Sequence, residues 1–156
     1  MKTLKLYINE AIHINKNTKI IEHNYHPKTN KELEELIRKL IKERGKNADL
    51  NDIDTSEITN MAYLFHDSHF NGDISEWNVS KVKDMGGMFM GSKFNGDLSE
   101  WDVSNVTDMT GMFYKSEFNR DISEWNISKV ENMERMFYKS KFNGDISEWD
   151  VSSSAM

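Results

Sequence analysis

The stretch FNGDISEWNVSKVKDMGGMFMGSK, residues 70–93, recurs with few changes along the chain. Its first eight residues return unchanged at residues 142–149, and with one substitution each at residues 94–101 and 118–125. The aromatic residues of successive copies are therefore 24 positions apart: Phe70, Phe94, Phe118 and Phe142, then Trp77, Trp101, Trp125 and Trp149. A fixed period of this length is the signature of a repeat architecture.

A weaker copy precedes these, at residues 46–69, where Met61 aligns with Met85 and Phe65 with Phe89. The sequence thus predicts a repeat domain over residues 47–156, after an N-terminal segment of residues 1–46. The domain contains four repeats, starting near residues 46, 70, 94 and 118, and a fifth that is truncated after its tryptophan.

Two apolar patterns follow one another inside a copy. Trp77 and Val79 alternate with polar residues, which is typical of a strand. Met85, Met88 and Phe89 have the i, i+3, i+4 spacing of one helical face. Each repeat is therefore predicted to contain one short parallel strand and one helical turn, with FNG forming the turn into the next strand.

A single copy is too short to bury enough apolar surface to fold alone. Stacking adjacent copies closes their tryptophan, methionine and phenylalanine positions into one continuous core. We therefore expect an α/β solenoid with 24-residue coils.

The apolar spacing of ISEWNVSKVKDM is similar to that of leucine-rich repeats. Over residues 47–152, the recurring pattern FNGDIS-x-WDVS-x-V resembles the BspA-like leucine-rich-repeat proteins of bacteria, the mycoplasma-lipoprotein type. The resemblance implies a right-handed, parallel-stranded solenoid, often found on bacterial surfaces, with no assigned function and no known catalysis.

The first 46 residues contain two possible strands, LKLYIN and TKIIEH, and an amphipathic helix from about Asn30 to Arg44. Thr29 and Glu32 have capping-box spacing, and Gly45 is the candidate C-cap. The segment is expected to be an α+β cap on the first coil. The alternative is a separate basic binding helix.

Composition and charge narrow the function classes. The chain has no cysteine, and hence no disulfide, thiolate metal site or lipoprotein attachment residue. It shows no signal peptide and no run of about 20 apolar residues, so membrane insertion is not expected and the chain as written is expected to be cytoplasmic. Residues 1–46 have eleven Lys/Arg and six Glu (+5), and the remainder has nine Lys/Arg and twenty Asp/Glu (−11). An acidic repeat domain argues against nucleic acid as the partner.

Polar residues between the apolar strand positions form two rows across the copies. The predicted binding face consists of Asp52, Glu76, Glu100, Glu124 and Glu148 in one row, and Asp54, Asn78, Asp102, Asn126 and Asp150 in the other. Like charges about 4.8 Å apart on neighbouring strands repel each other, so their retention in every copy suggests a use. A purely solubilising face that prevents aggregation is the open alternative.

No pattern predicts catalysis or a bound metal. The Asn-Gly-Asp of FNGD matches no calcium loop and is better explained as a turn. His23 and His26, like His66 and His69, lack the three or four convergent ligands that zinc needs. We expect neither an enzyme nor a cofactor.

These observations favour a non-catalytic protein-recognition module whose acidic strand face binds a basic or polar protein. The alternative is a structural or self-assembling element, such as a bacterial surface or phage-associated protein. It would join another copy, or a larger assembly, through an uncapped edge at Trp149 and Val151.

Overall fold

The computed structural model describes residues 20–154. One helix is present in this range, α1, Asn30–Arg44. The Thr29 side chain accepts a hydrogen bond from the N–H of Glu32, and the Glu32 carboxylate accepts one from the N–H of Lys28. The N–H of Gly45 donates to the carbonyl of Ile41 and closes the last turn. The helix therefore has the bounds and caps that its sequence predicts, whereas the possible strand LKLYIN lies outside the described residues.

Helix α1 packs against the first copy. Leu33, Ile37 and Leu40 are buried in the same apolar core as the repeats. The Asn30 side chain donates to the carbonyl of Asn60, and Tyr25 forms a parallel bridge with Ile53. The possible strand TKIIEH, where it is described, contains no assigned strand. The sequence pattern of α1 predicts this packing, because its apolar stripe needs burial.

Successive copies stack with a step of 24 residues. The rings of Phe65, Phe89, Phe113 and Phe137 form one nearly parallel column, with centroids 5.5, 5.6 and 5.7 Å apart. A column of tryptophans runs beside it, with steps of 6.4 Å from Trp77 to Trp101 and 6.5 Å from Trp125 to Trp149. Aromatic rings thus occupy equivalent places in adjacent copies and fill the core between them.

A row of backbone hydrogen bonds between copies lies in the methionine-rich segment, where alternate residues have different partners. Single bonds of the opposite sense flank it, such as that from the N–H of Thr107 to the carbonyl of Lys83. The N–H groups of Met85, Gly87, Phe89 and Gly91 donate to carbonyls of the following copy at 2.8–2.9 Å. Between them, the N–H groups of Met88, Met90 and Ser92 donate three residues back. The pattern recurs at residues 61–68 and 109–116. Each copy is thereby joined to the next by a row of four hydrogen bonds.

These observations differ from the expected strand and helical turn. Within residues 20–154 the parallel pairings are isolated bridges, such as Asp84 with Asp108, rather than continuous strands. Trp77 and Val79 lie in tight turns, because the N–H of Trp77 donates to Ile74 and that of Val82 to Val79. The methionine segment is not helical, since every fourth residue there has a left-handed conformation, as at Gly87 (φ 59°).

Candidate functional site

The first predicted acidic row is exposed in four copies. The side chains of Glu76, Glu100, Glu124 and Glu148 lie on the surface. None of them makes a hydrogen bond or ion pair with any described residue. The tryptophan that follows each glutamate is buried and donates its indole N–H to a carbonyl of the preceding copy, as Trp125 does to Leu98 at 2.9 Å. The fold therefore presents these four carboxylates to solvent without using them.

The second predicted row has a local structural role. The Oδ1 atom of Asp102 accepts hydrogen bonds from the N–H of Ser104 (3.1 Å) and from its hydroxyl (2.6 Å). The same arrangement holds for Asn78 with Ser80, Asn126 with Ser128 and, through the N–H, Asp150 with Ser152. Hydrogen bonds from these serines lower the pKa values of Asp102 and Asp150. This row closes Asx-turns, and one oxygen of each side chain is already occupied.

The two acidic residues of the first copy are bound by the N-terminal segment. The Arg44 guanidinium forms a bidentate pair with Asp52 at 2.9 and 3.0 Å, and Asn24 donates to the same carboxylate. The hydrogen bond from Arg44 lowers the pKa of Asp52 and raises that of Arg44. Asp54 contacts His26 at 3.3 Å, and hydrogen bonds led by that of the Ser56 hydroxyl lower its pKa to about 2. The free acidic row therefore begins at Glu76.

The predicted self-assembly edge contains one buried and one exposed residue. Trp149 is only 8% exposed, although the sequence places it at an uncapped edge. Its indole stacks on Trp125 and donates to the carbonyl of Ile122 at 3.2 Å, which explains the burial. Val151 is 40% exposed. Both residues line an apolar cavity of about 290 Å³, together with Met133, Phe137 and Ile146.

The sequence patterns did not indicate a row of backbone donors beside this cavity. The N–H groups of Met133, Arg135, Phe137 and Lys139 are equivalent to the four that join each earlier copy to the next. In the fourth copy they donate to no described residue. We call these four N–H groups and the adjoining cavity the open edge. The signal that could have revealed it is the pair Gly87 and Gly91, four residues apart, where a helix would disfavour glycine.

The turn lies just after each FNGD motif rather than in it: residues 94–97 have no assigned turn, and residues 99 and 100 do. The Asp97 carboxylate accepts from the N–H of Ser99, a hydrogen bond that lowers the pKa of Asp97, and Asp121 and Asp145 do the same with Ser123 and Ser147. Among residues 20–154, no three His, Asp or Glu side chains converge as metal ligands would. In the same range, no helix has the length and apolar character needed to cross a bilayer.

Comparison with known proteins identifies a family but no activity. Neither the curated proteins nor the solved structures contain a match to the chain. Residues 31–149 match the model of a family described as "Mycoplasma protein of unknown function, DUF285". The match begins in α1, includes all four copies and ends at Trp149 of the fifth. Because it covers more than half of the sequence, this chain belongs to the DUF285 family of mycoplasma proteins of unknown function.

Proposed function

We propose that this protein is a non-catalytic recognition module, whose stacked copies form a solenoid of the BspA-like leucine-rich-repeat type. Its binding surface is the free acidic row of Glu76, Glu100, Glu124 and Glu148, and its partner is a protein with a basic or polar segment. The single observation that supports this proposal is that all four carboxylates are exposed and have no partner among the described residues.

The contrast between the two rows supports a use outside the fold. The Asp and Asn side chains of the second row close turns, so folding alone explains their presence in every copy. No comparable contact explains the glutamates. Neighbouring carboxylates on stacked copies repel each other, and a cationic segment lying along the row would relieve that repulsion.

A pull-down from a mycoplasma lysate tests this proposal with two charge-matched baits. In one bait, Glu100→Lys and Glu124→Lys reverse two charges in the row. In the other, Glu43→Lys and Glu131→Lys make the same change in net charge at exposed sites outside it. Each reversal in the row removes an attraction of about 0.5 kcal/mol and adds a repulsion of about the same size. Two reversals therefore weaken binding by about 2 kcal/mol, or roughly 30-fold.

We expect a partner that the wild-type and control baits retain and the row variant loses, with retention decreasing as salt increases. Circular dichroism of the three baits verifies that each is folded. Equal retention by both variants would refute the acidic-row proposal, and binding that is insensitive to salt would refute its electrostatic basis.

A structural role is the second candidate function, and the open edge is the observation that favours it. An apolar cavity lies there beside four backbone donors that have no described partner. In this candidate, the protein joins another polypeptide through the surface that includes Trp149 and Val151.

A further inference from the structure

Helix α1 covers the row of backbone carbonyls on the first copy only in part. In the next three copies, four alternate carbonyls accept from N–H groups of the copy before, over residues 84–90, 108–114 and 132–138. The equivalent carbonyls of the first copy belong to Asn60, Ala62, Leu64 and His66. The side chain of Asn30, the first residue of α1, donates to the carbonyl of Asn60 at 2.9 Å. The other three carbonyls accept no hydrogen bond from a described residue.

A cavity lies beside these carbonyls, between α1 and the first copy. It has a volume of about 360 Å³, and the residues that line it include Leu64 and His66 of the copy and Ile37 and Ile41 of α1. The buried Phe65 also lines it. A cavity of this size can hold one large apolar side chain. We call the carbonyls of residues 62, 64 and 66, together with this cavity, the cap groove.

The stack itself shows which groups pair with such a row of carbonyls. In each of three copies, the donors to the corresponding carbonyls are three N–H groups at alternate residues: Tyr63, Phe65 and Asp67, then Gly87, Phe89 and Gly91, then Gly111, Phe113 and Lys115. The middle donor is always a buried phenylalanine. The first and third donors have φ between 52° and 67°, a conformation that glycine adopts without strain. A segment with the pattern G-x-F-x-G therefore matches the cap groove.

A hydrogen bond of the opposite sense extends this specification by one residue. The N–H groups of Lys93, Glu117 and Lys141 donate to carbonyls of the preceding copy at 2.9–3.0 Å. The equivalent N–H group of the first copy is that of His69, and it donates to no described residue. In the stack, the accepting carbonyl comes one residue after the third donor, as at Ser92. The matching segment therefore ends with a carbonyl one residue after its second glycine.

The chain does not supply this segment from its own glycines. Residues 1–19 contain no glycine. Residues 87–91, which have the pattern G-x-F-x-G, already use their three alternate N–H groups inside the stack. The same holds for the related residues 111–115. A second molecule in the described conformation has these segments equally occupied, so the occupant belongs to a different protein.

We propose that the cap groove binds a glycine-flanked segment of another polypeptide, with a large apolar residue at its centre. The three alternate N–H groups of the segment pair with the carbonyls of Ala62, Leu64 and His66, and its central side chain enters the cavity beside Ile37 and Ile41. The backbone hydrogen bonds provide affinity, and the cavity provides specificity for the central residue. This proposal does not depend on the acidic row.

An NMR titration of the full chain with short peptides tests the proposal. The probe is GMFMGS, the sequence of residues 87–92, capped at both ends and used at up to about 1 mM, where even weak binding is detected. The carbonyl-carbon chemical shifts of Ala62, Leu64 and His66 report the hydrogen bonds that these groups accept. Two control peptides carry one N-methyl group each. It lies on the phenylalanine, where it removes the central donor, or on the methionine before it, whose N–H pairs with no carbonyl of the cap groove.

A matched pair of protein variants tests the cavity. Ile41→Trp fills it, whereas Leu36→Trp makes the same type of change at another half-buried residue of α1 that does not line it. Circular dichroism verifies that both variants are folded. We expect Ile41→Trp to abolish peptide binding and Leu36→Trp to retain it.

We expect GMFMGS to shift the three carbonyl signals with a single dissociation constant. The peptide methylated on phenylalanine should bind at least about tenfold more weakly, because the central acceptor is left without a donor. The peptide methylated on methionine should bind as GMFMGS does. The variant Glu100→Lys with Glu124→Lys should leave peptide binding unchanged, so failure of the acidic row and failure of the cap groove give different results.

Several results would overturn the proposal. About 1 mM GMFMGS may leave the three signals unchanged, the two methylated peptides may bind equally, or Ile41→Trp may bind as the wild type does. A shift of the same signals with the concentration of the free chain would identify a second copy as the occupant. Nuclear Overhauser contacts between the cavity and residues 1–19 would identify the chain's own N-terminal segment.

Discussion

Replacing the same phenylalanine in an inner copy and at the open edge should have unequal costs. Phe113 is fully buried, and its ring lies between Phe89 and Phe137 at 5.6 and 5.7 Å and against Phe118 at 4.3 Å. Phe113→Ala therefore leaves a cavity closed on all sides and should lower the free energy of unfolding by about 4 kcal/mol.

Phe137 has a stacked phenylalanine of a neighbouring copy on one side only, whereas Phe113 has one on each side. Its ring contacts Phe113 at 5.7 Å and Phe142 at 4.4 Å, but its other side adjoins the cavity of the open edge. Phe137→Ala removes less buried surface and leaves a space that water can enter, so it should lower the free energy of unfolding by about 2 kcal/mol.

Urea unfolding at 25 °C, followed by tryptophan fluorescence and by circular dichroism, measures both variants against the wild type. Similar m-values would show that the variants expose similar surface on unfolding, so that the free energies can be compared. Equal costs for the two substitutions would refute the reasoning, because they would mean that Phe137 is as fully enclosed in solution as Phe113.

Three further predictions concern the turns. Asp102→Ala should lower the free energy of unfolding by about 1 kcal/mol, because it removes the acceptor of the Ser104 hydrogen bond. Asp102→Asn should lower it by much less, because the amide oxygen can still accept that bond. Thermal melts of both variants test this. The free energy of unfolding should fall as the pH drops from about 4 towards 2. The pKa of Asp54 is about 2 in the folded chain against an ordinary value of 3.8, so the stability that its carboxylate contributes is lost as the pH falls through the folded value. A stability curve that is flat over this range would contradict the prediction. Gly72→Ala should destabilise the fold more than Gly144→Ala. A Cβ at residue 72 would collide with the backbone carbonyl of Ala48, whereas a Cβ at residue 144 would meet only the movable ring of Phe142. Denaturation midpoints that are equally lowered would contradict this.

Much of the packing follows from the 24-residue period alone. Residues that recur at one position in every copy must have similar surroundings, so Phe89 and Phe113 occupy equivalent places in the core. The bounds of α1 were equally predictable, because its capping residues and its apolar stripe agree. A period states which residues are neighbours, but it does not state which backbone conformation brings them together.

The conformation of the methionine segment was predicted incorrectly for that reason. Overlapping turns, each closed by a bond three residues back, can bury Met85, Met88 and Phe89 together just as one helical face would. The turns require a left-handed residue at every fourth position. Glycine occupies these positions in the second copy, but Lys115 and Lys139 occupy one of them in the third and fourth copies, which hides the signal.

Part of the candidate site was also predictable: the sequence indicates which of its residues are exposed, but not all of the contacts that they make. The alternation of polar and apolar residues correctly places Glu100 and Glu124 on the surface, although turns rather than a strand produce it. The second row could have been assigned to turns from the sequence, because each Asp or Asn is followed two residues later by a serine. The contacts of Asp52 with Arg44 and Asn24 depend on how the N-terminal segment folds back, which no local pattern specifies.

The direction of the hydrogen bonds makes the two faces of every copy chemically different. In the methionine-rich segment, one face offers carbonyls and the other offers N–H groups, whereas the flanking residues pair in the opposite sense, as in the bond from the N–H of Thr107 to the carbonyl of Lys83. A copy can therefore add to the stack in one orientation only. Apolar burial alone would not impose this rule, because phenylalanine and methionine pack against either face of a similar surface. The backbone pattern therefore sets the register between copies, and the buried side chains determine how tightly the copies are held together.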